Sequence, residues 1–192
     1  MNYYQEIHLL PSPDINLSFL WEKIFKQVHL ALVSNKLSDN RSVVGVAFPE
    51  YDADKYSLGK KLRLFAKNET DLLNMQCEQS FKHMIDYIRL ECIKPTPEQV
   101  NGYRCFKQVK PRGSKEKLAR RRSKRKKEPL AEALSHFKAF EIEKINLPYI
   151  KIHSATTGQR FSLFIEKQDL EQPREGFYSC YGLSKAATVP SF

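Results

Sequence analysis

Residues 16–35 read Asn-Leu-Ser-Phe-Leu-Trp-Glu-Lys-Ile-Phe-Lys-Gln-Val-His-Leu-Ala-Leu-Val-Ser-Asn. Leu17, Leu20, Trp21, Ile24, Phe25, Val28, Ala31 and Leu32 recur at spacings of three and four, the stripe of an amphipathic helix. Asn16, after the Pro11-Ser12-Pro13 turn, supplies an N-cap. His29 lies four residues after Phe25, at the edge of the stripe. Before the helix, Tyr3–Leu10 alternates roughly and stops at Pro11, as a strand does. After it, residues 43–48 (Val-Val-Gly-Val-Ala-Phe) form a buried strand closed by Pro49. A polar loop runs to Gly59, and a basic-edged strand follows at Lys61–Phe65. Asn68 or Thr70 starts a second helix carrying Leu72, Leu73 and Met75, and Tyr87–Ile93 reads as a strand. The order strand, helix, strand, strand, helix, strand is that of a ferredoxin-like, RRM-like domain within the α+β class. Many unrelated functions use that order, so it carries no function by itself.

Lys94–Gly102, with Pro95, Pro97 and Gly102, reads as a linker. It divides the chain into a domain at 1–94, which carries His29, and a domain at 95–192. In the second, Tyr103–Lys110 is extended, and Pro111-Arg112-Gly113-Ser114 makes a turn. Ser114 caps a helix over 115–127 that Pro129 stops. Leu130–Phe140 continues as helix, and short strands at Pro148–His153, Gln159–Ile165 and Phe177–Tyr181 form a small antiparallel sheet.

Charge is concentrated. Of the 32 Lys and Arg residues, twelve fall within 107–127, alongside a single acid, Glu116. The remainder carries twenty basic and twenty-one acidic residues and is close to neutral. On a helix, Lys117, Arg120, Arg121, Lys124 and Arg125 fall at i, i+3, i+4, i+7 and i+8 and make one stripe. Guanidinium forks in a stripe suit phosphates and base edges. A polyanion is therefore the expected partner, with the helix fully ordered only on nucleic acid. Charge alone does not separate RNA from DNA, and does not require an enzyme.

Cys77, Cys92, Cys105 and Cys180 make no CxxC pair, and no histidine lies at zinc-finger spacing from them, so reduced thiols and no structural zinc are expected. No apolar run reaches membrane-spanning length, and the N-terminus lacks the pattern of a secretory signal. A cytoplasmic protein without membrane contact is the expectation.

Four stretches narrow the reading. They are Val28-His29-Leu30-Ala31-Leu32; Ser114-Lys115-Glu116-Lys117-Leu118 on through Arg125; His153-Ser154-Ala155-Thr156-Thr157-Gly158-Gln159-Arg160-Phe161; and Cys180-Tyr181-Gly182-Leu183-Ser184-Lys185. The chain closes on Val189-Pro190-Ser191-Phe192. In this order and spacing the chain resembles the type I-F CRISPR-associated endoribonucleases, the Csy-type repeat-processing enzymes, over essentially its whole length. The resemblance implies a ferredoxin-like N-terminal domain and a C-terminal domain whose arginine-rich helix enters the major groove of a repeat hairpin. It implies cleavage of CRISPR precursor RNA at the hairpin's 3′ base, retention of the mature crRNA, and membership of a type I-F surveillance complex, with a monomer bound to RNA.

Residue by residue, the resemblance makes His29 the catalytic histidine. Ser154 would fix the attacking ribose, and Tyr181 would orient the imidazole. Phe161 would stack on the closing base pair, Arg121 would sit near the scissile phosphate, and Lys124 and Arg125 would contact the groove. Lys107, Gln108, Lys110, Arg112, Lys117, Arg120 and Thr156 complete the expected RNA contacts, Thr156 keeping the hydroxyl of a family serine. The family's linker carries an Arg-x-Gln pair. An ungapped alignment places Gln108 and Lys110 there; a two-residue shift places Gln108 on the glutamine and Phe106 on the arginine. In both, the arginine is missing.

RNA supplies its own nucleophile, because the 2′-hydroxyl already neighbours the phosphorus. Orientation and a proton acceptor are what a protein must add. The expected products are a 2′,3′-cyclic phosphate and a 5′-hydroxyl, with no metal or other cofactor. The competing expectation is a non-catalytic RNA-binding protein of the ribosome-associated type, which the basic segment fits equally well.

Overall fold

The computed structural model describes residues 1–111, 113–138, 145–154 and 158–192. In chain order its strands are β1 (Tyr3–Leu9), β2 (Arg41–Ser42), β3 (Gly45–Ala47), β4 (Lys61–Ala66), β5 (Ile88–Leu90), β6 (Lys94–Pro95), β7 (Tyr103–Val109), β8 (Tyr149–His153), β9 (Arg160–Leu170), β10 (Tyr178–Ser179) and β11 (Val189–Pro190). The helices are α1 (Leu17–Ser34), α2 (Glu69–Leu73), α3 (Cys77–Phe81), α4 (Lys115–Lys126) and α5 (Leu130–Ser135). The backbone groups into two compact units, one made of Met1–Val109 with Leu147–Phe192, the other of Lys110–Asn146.

In the first unit, one sheet runs β3-β4-β1-β5, with β6 also pairing with β1. A second runs β11-β7-β9-β8, and β10 pairs with β2. All of these pairings are antiparallel, so the molecule is a mixed α/β protein of several antiparallel sheets. The α1 stripe forms as its spacing predicts. Leu20, Trp21, Ile24, Phe25, Val28 and Leu32 are buried, and the Asn16 side chain accepts a hydrogen bond from the Phe19 amide. The helix lies against β1, α3 and β8. Trp21 and Phe25 pack on Phe48, with ring centroids 5.4 and 6.2 Å apart. Phe48 packs on Phe106 at 5.4 Å. One hydrophobic core therefore takes side chains from both sheets.

The structure departs from the expected elements in several places. The helix predicted after Asn68 is two short helices, separated at Gln76, whose φ is +46°. The strand predicted at Tyr87–Ile93 is reduced to β5, preceded by a 3-10 turn at Ile85–Tyr87. Lys94 and Pro95, expected in a linker, pair with Tyr4 and Tyr3. The helix expected over Leu130–Phe140 ends at Ser135, and residues 139 and 140 lie outside the described residues. The compact units also differ from a division at residue 94. β7 to β9 and β11 close the same core as α1, and the separate unit is the segment between β7 and β8.

That second unit is built on α4 and α5. The Ser114 side chain accepts from the Lys117 amide, and Lys127 ends α4 in the left-handed conformation, φ +54°. Arg122 donates to the Glu128 carboxylate at 2.6 Å and lies 3.0 Å from His136 Nε2. The Ser123 hydroxyl donates to the Glu128 carbonyl. Ala119 and Ala133 are buried between the helices. The local bonding that holds α4 is therefore supplied by the chain itself.

Candidate active site and nucleic-acid interface

In the first unit, α1 presents His29, half-buried, one turn beyond buried Phe25. Facing it is the turn after β10. The Gly182 amide donates to the Ser179 carbonyl, and the Ser179 amide donates to the Leu183 carbonyl. This turn is tied to β3 by the Val46 amide, which donates to the Gly182 carbonyl at 2.9 Å. Gly182 has φ +68°, and a Cβ there would overlap the Val46 side chain. Only glycine meets both demands.

The turn delivers two contacts to the imidazole. His29 Nδ1 lies 2.7 Å from the Cys180 carbonyl oxygen. A carbonyl only accepts, so Nδ1 carries the proton and donates it, and in the neutral ring Nε2 keeps its lone pair. The Tyr181 ring lies nearly parallel to the imidazole, with centroids 4.3 Å apart and planes 11° apart. Its other neighbour in the stack is Phe25, at 6.4 Å and 4°. Burial, and to a lesser degree the nearby Cys180, pushes the Tyr181 hydroxyl above the usual phenol range, so it stays neutral. The result is an imidazole of fixed tautomer with one face against the Tyr181 ring.

Ser154 directly follows β8, the strand on which α1 rests. Its amide donates to the Gln159 carbonyl, and its carbonyl accepts from the Gly158 amide, which closes the β8–β9 hairpin around 155–157. Thr156 lies in that span, outside the described residues. Phe161 pairs with Ile152 across the hairpin and is 37% exposed, enough to offer a ring face. The structure thus brings His29 and Tyr181 into direct contact and places Ser154 at the end of a strand packed on the same helix. The Cys180 carbonyl was not among the expected residues. A main-chain atom leaves no mark in side-chain chemistry, and only the Cys-Tyr-Gly run, with its glycine turn, could have pointed to it.

The expected RNA contacts divide between the units. In the first, Lys107 pairs with Glu166 at 3.1 Å, and Gln108 is half-buried on β7. Phe106, one alignment's substitute for the missing arginine, is 3% exposed in the core and unavailable for base readout. In the second, Lys110 is exposed, and Arg112 lies outside the described residues. Lys117, Arg120, Arg121, Lys124 and Arg125 are all exposed, and none is in an ion pair among the described residues. Arg122, off the stripe, is the one arginine of α4 held by an acid there. The helix therefore sorts its cations: Arg122 is held by Glu128, Lys115 donates to the Lys138 carbonyl, and the stripe of five is left without an ion pair among the described residues.

One unit thus carries an exposed stripe of lysine and arginine with no ion pair among the described residues, and the other an imidazole whose Nδ1 is bonded to a carbonyl. The chain matches the family described as CRISPR-associated protein (Cas_Csy4) over residues 4–192, and it belongs to that family. It is 30% identical over 195 residues to the "CRISPR-associated endonuclease Cas6/Csy4" of Pseudomonas aeruginosa (strain UCBPP-PA14), covering 100% of both chains. It is 29% identical over 193 residues to the protein of the same name from Escherichia coli (strain UTI89 / UPEC), again over 100% of both. Among solved structures it overlaps "An RAMP protein binding different RNA substrates", with 10% identity and a TM-score of 0.33, over 98% of this chain and 100% of that one. No described helix is long and apolar enough to cross a membrane.

Proposed function

We propose that this protein is a metal-independent endoribonuclease that cuts CRISPR precursor RNA at the 3′ base of the repeat hairpin and keeps hold of the mature crRNA. The observation that carries the reading is the bond from His29 Nδ1 to the Cys180 carbonyl, which leaves Nε2 as the lone-pair nitrogen. His29 Nε2 takes the proton of the ribose 2′-hydroxyl, and O2′ attacks the adjacent phosphorus. The bond to O5′ breaks, and that oxygen leaves with a proton from the imidazolium or from solvent. The products are a 2′,3′-cyclic phosphate and a 5′-hydroxyl. Ser154 holds the ribose in line, and Tyr181 holds the imidazole plane. Lys117, Arg120, Arg121, Lys124 and Arg125 grip the stem, with Lys107, Gln108, Lys110, Arg112, Thr156 and Phe161 as further RNA contacts.

The reading is supported by family membership and by the endonuclease relatives, which this chain matches end to end. The strand order β3-β4-β1-β5, with crossing helices, fits a ferredoxin-like N-terminal domain that carries the imidazole. In cells the product complex would join the other subunits of a type I-F surveillance complex in the cytoplasm.

The test uses a repeat hairpin and the same RNA with one 2′-deoxyribose at the cut site, both in EDTA. The first should be cut, and the second bound but intact. Cutting of the deoxy RNA would exclude the 2′-hydroxyl route. A failure to cut either would leave RNA binding without catalysis.

A further inference from the structure

At the outer edge of the second sheet, beside β8, lies a cleft of about 410 Å³ lined by Glu22, Lys151, Ile152, His153, Arg160 and Phe161, together with Ser162. β8 is the last strand in the order β11-β7-β9-β8, so this side of it is open. Lys151, His153, Arg160 and Phe161 are exposed, and Glu22 is half-exposed on α1. The lining holds both signs of charge, yet Glu22, Lys151 and Arg160 form no ion pair or hydrogen bond through their side chains among the described residues. An acid left alone in a cationic cleft meant for RNA would repel phosphate. Its carboxylate suits the groups of RNA that donate hydrogen bonds, a ribose 2′-hydroxyl or the edge of a base, and only the base edge differs from one nucleotide to the next.

We infer that this cleft is a subsite for the base of the first unpaired nucleotide downstream of the cut, with Glu22 as its specificity-determining residue; this rests on the cleavage reading above. Two observations, together with the substrate of that reading, converge on it. Glu22 precedes His29 by two helical turns on one face of α1, about 10 Å along the axis, the scale of a single nucleotide. Ser154 follows His153 directly, so the ribose and the cleft share one strand end. On the cleavage reading the nucleotide upstream of the cut is paired in the stem, whereas the downstream one has its Watson–Crick edge free, the state in which proteins read RNA bases.

The chemistry orders the four bases. Guanine presents N1–H and the N2 amino group side by side and can donate to both carboxylate oxygens of Glu22. Cytosine and adenine offer one amino group each. Uracil offers N3–H between two carbonyls that repel a carboxylate. Lys151 and Arg160 are free for the flanking phosphates.

Four repeat-hairpin RNAs differing only in the nucleotide after the cut should be compared by kcat/KM, with the full-length protein and with Glu22→Ala and Glu22→Gln. The native chain should favour guanine over uracil by at least about fivefold, the low end of a bidentate base contact. Glu22→Ala should flatten the series, and Glu22→Gln, which gains donors, should compress or reorder it. Both changes lie on a half-exposed position and leave the core intact, which thermal melting would check. Equal cutting of all four RNAs by the native chain, or a preference that survives Glu22→Ala, overturns the subsite and leaves the cleavage reading standing. If none of the four is cut, the cleavage reading falls and the subsite with it.

Discussion

His29 has a ring stacked on it and a carbonyl on Nδ1, and these two contacts fix different things. The carbonyl chooses the tautomer, and the Tyr181 ring chooses the plane. His29→Ala should lower single-turnover cleavage by at least about 10²-fold, the usual scale of acid–base assistance. Hairpin affinity should barely change, since no phosphate contact is lost. An equal loss of affinity would make His29 a scaffold residue. Tyr181→Phe keeps the stack and should retain most activity, whereas Tyr181→Ala frees the plane and should not; cleavage rates beside melting temperatures would separate the two effects. The cysteines allow an independent check of burial elsewhere in the same unit. Burial pushes the Cys77 thiol up to about 12, whereas Cys92 is exposed. At pH 8 almost no Cys77 is thiolate, so iodoacetamide should label Cys92 well before Cys77 in the native protein, as read by peptide mass spectrometry. At this scale the sequence was informative about side chains, because His29 and Tyr181 lie within recognisable runs. It was silent on the anchor, because every residue has a carbonyl.

Among the elements, α1 was legible from its stripe alone, since eighteen residues give an apolar face room to repeat. The strand expected at Phe177–Tyr181 is only β10, and its pairing with β2 and not with the β7–β9–β8 sheet was not legible, because two residues cannot show alternation. Its position follows from the turn and from Tyr178, which is buried and donates to the Thr188 carbonyl. The split between α2 and α3 was equally hidden, because a left-handed residue such as Gln76 is chosen by packing and not by propensity. The turn after β10 gives a sharp test. Gly182→Ala combines a positive φ with overlap on Val46, and should cost about 1–3 kcal/mol of strain or displace the turn. Cleavage should fall with the melting temperature in that variant, and unchanged values for both would contradict the described turn. In α4, Arg121→Ala with Arg125→Ala removes two open cations. The slope of log affinity against log salt should shrink by about one to two. Arg122→Ala should leave that slope nearly unchanged and instead loosen α4 from α5, seen as lost helical circular dichroism.

Across the whole molecule, charge and connectivity coincide. The basic run belongs almost entirely to the unit formed by Lys110–Asn146, and the near-neutral remainder closes a single core. Composition revealed that segregation, but the boundary it suggested at Lys94 followed local Pro and Gly content. What decides the unit is sheet pairing between residues far apart in sequence. Val109 and Tyr149 both pair with Phe164, one on each side of β9. The ends of the excursion therefore leave strands about 10 Å apart, two strand spacings. Replacing Lys110–Asn146 by a linker of about four residues should leave a cooperatively melting protein that no longer binds the hairpin. Loss of the cooperative transition would show that the first unit depends on the second.

The atom that fixes the imidazole belongs to the peptide chain, and no codon change at position 180 can delete it. Cys180→Ala or Cys180→Ser alters a thiol and leaves the acceptor where it is. Genetic drift can thus explore residue 180 while the histidine's protonation pattern stays inherited from the path of the loop. The vulnerable positions are the ones that steer that path.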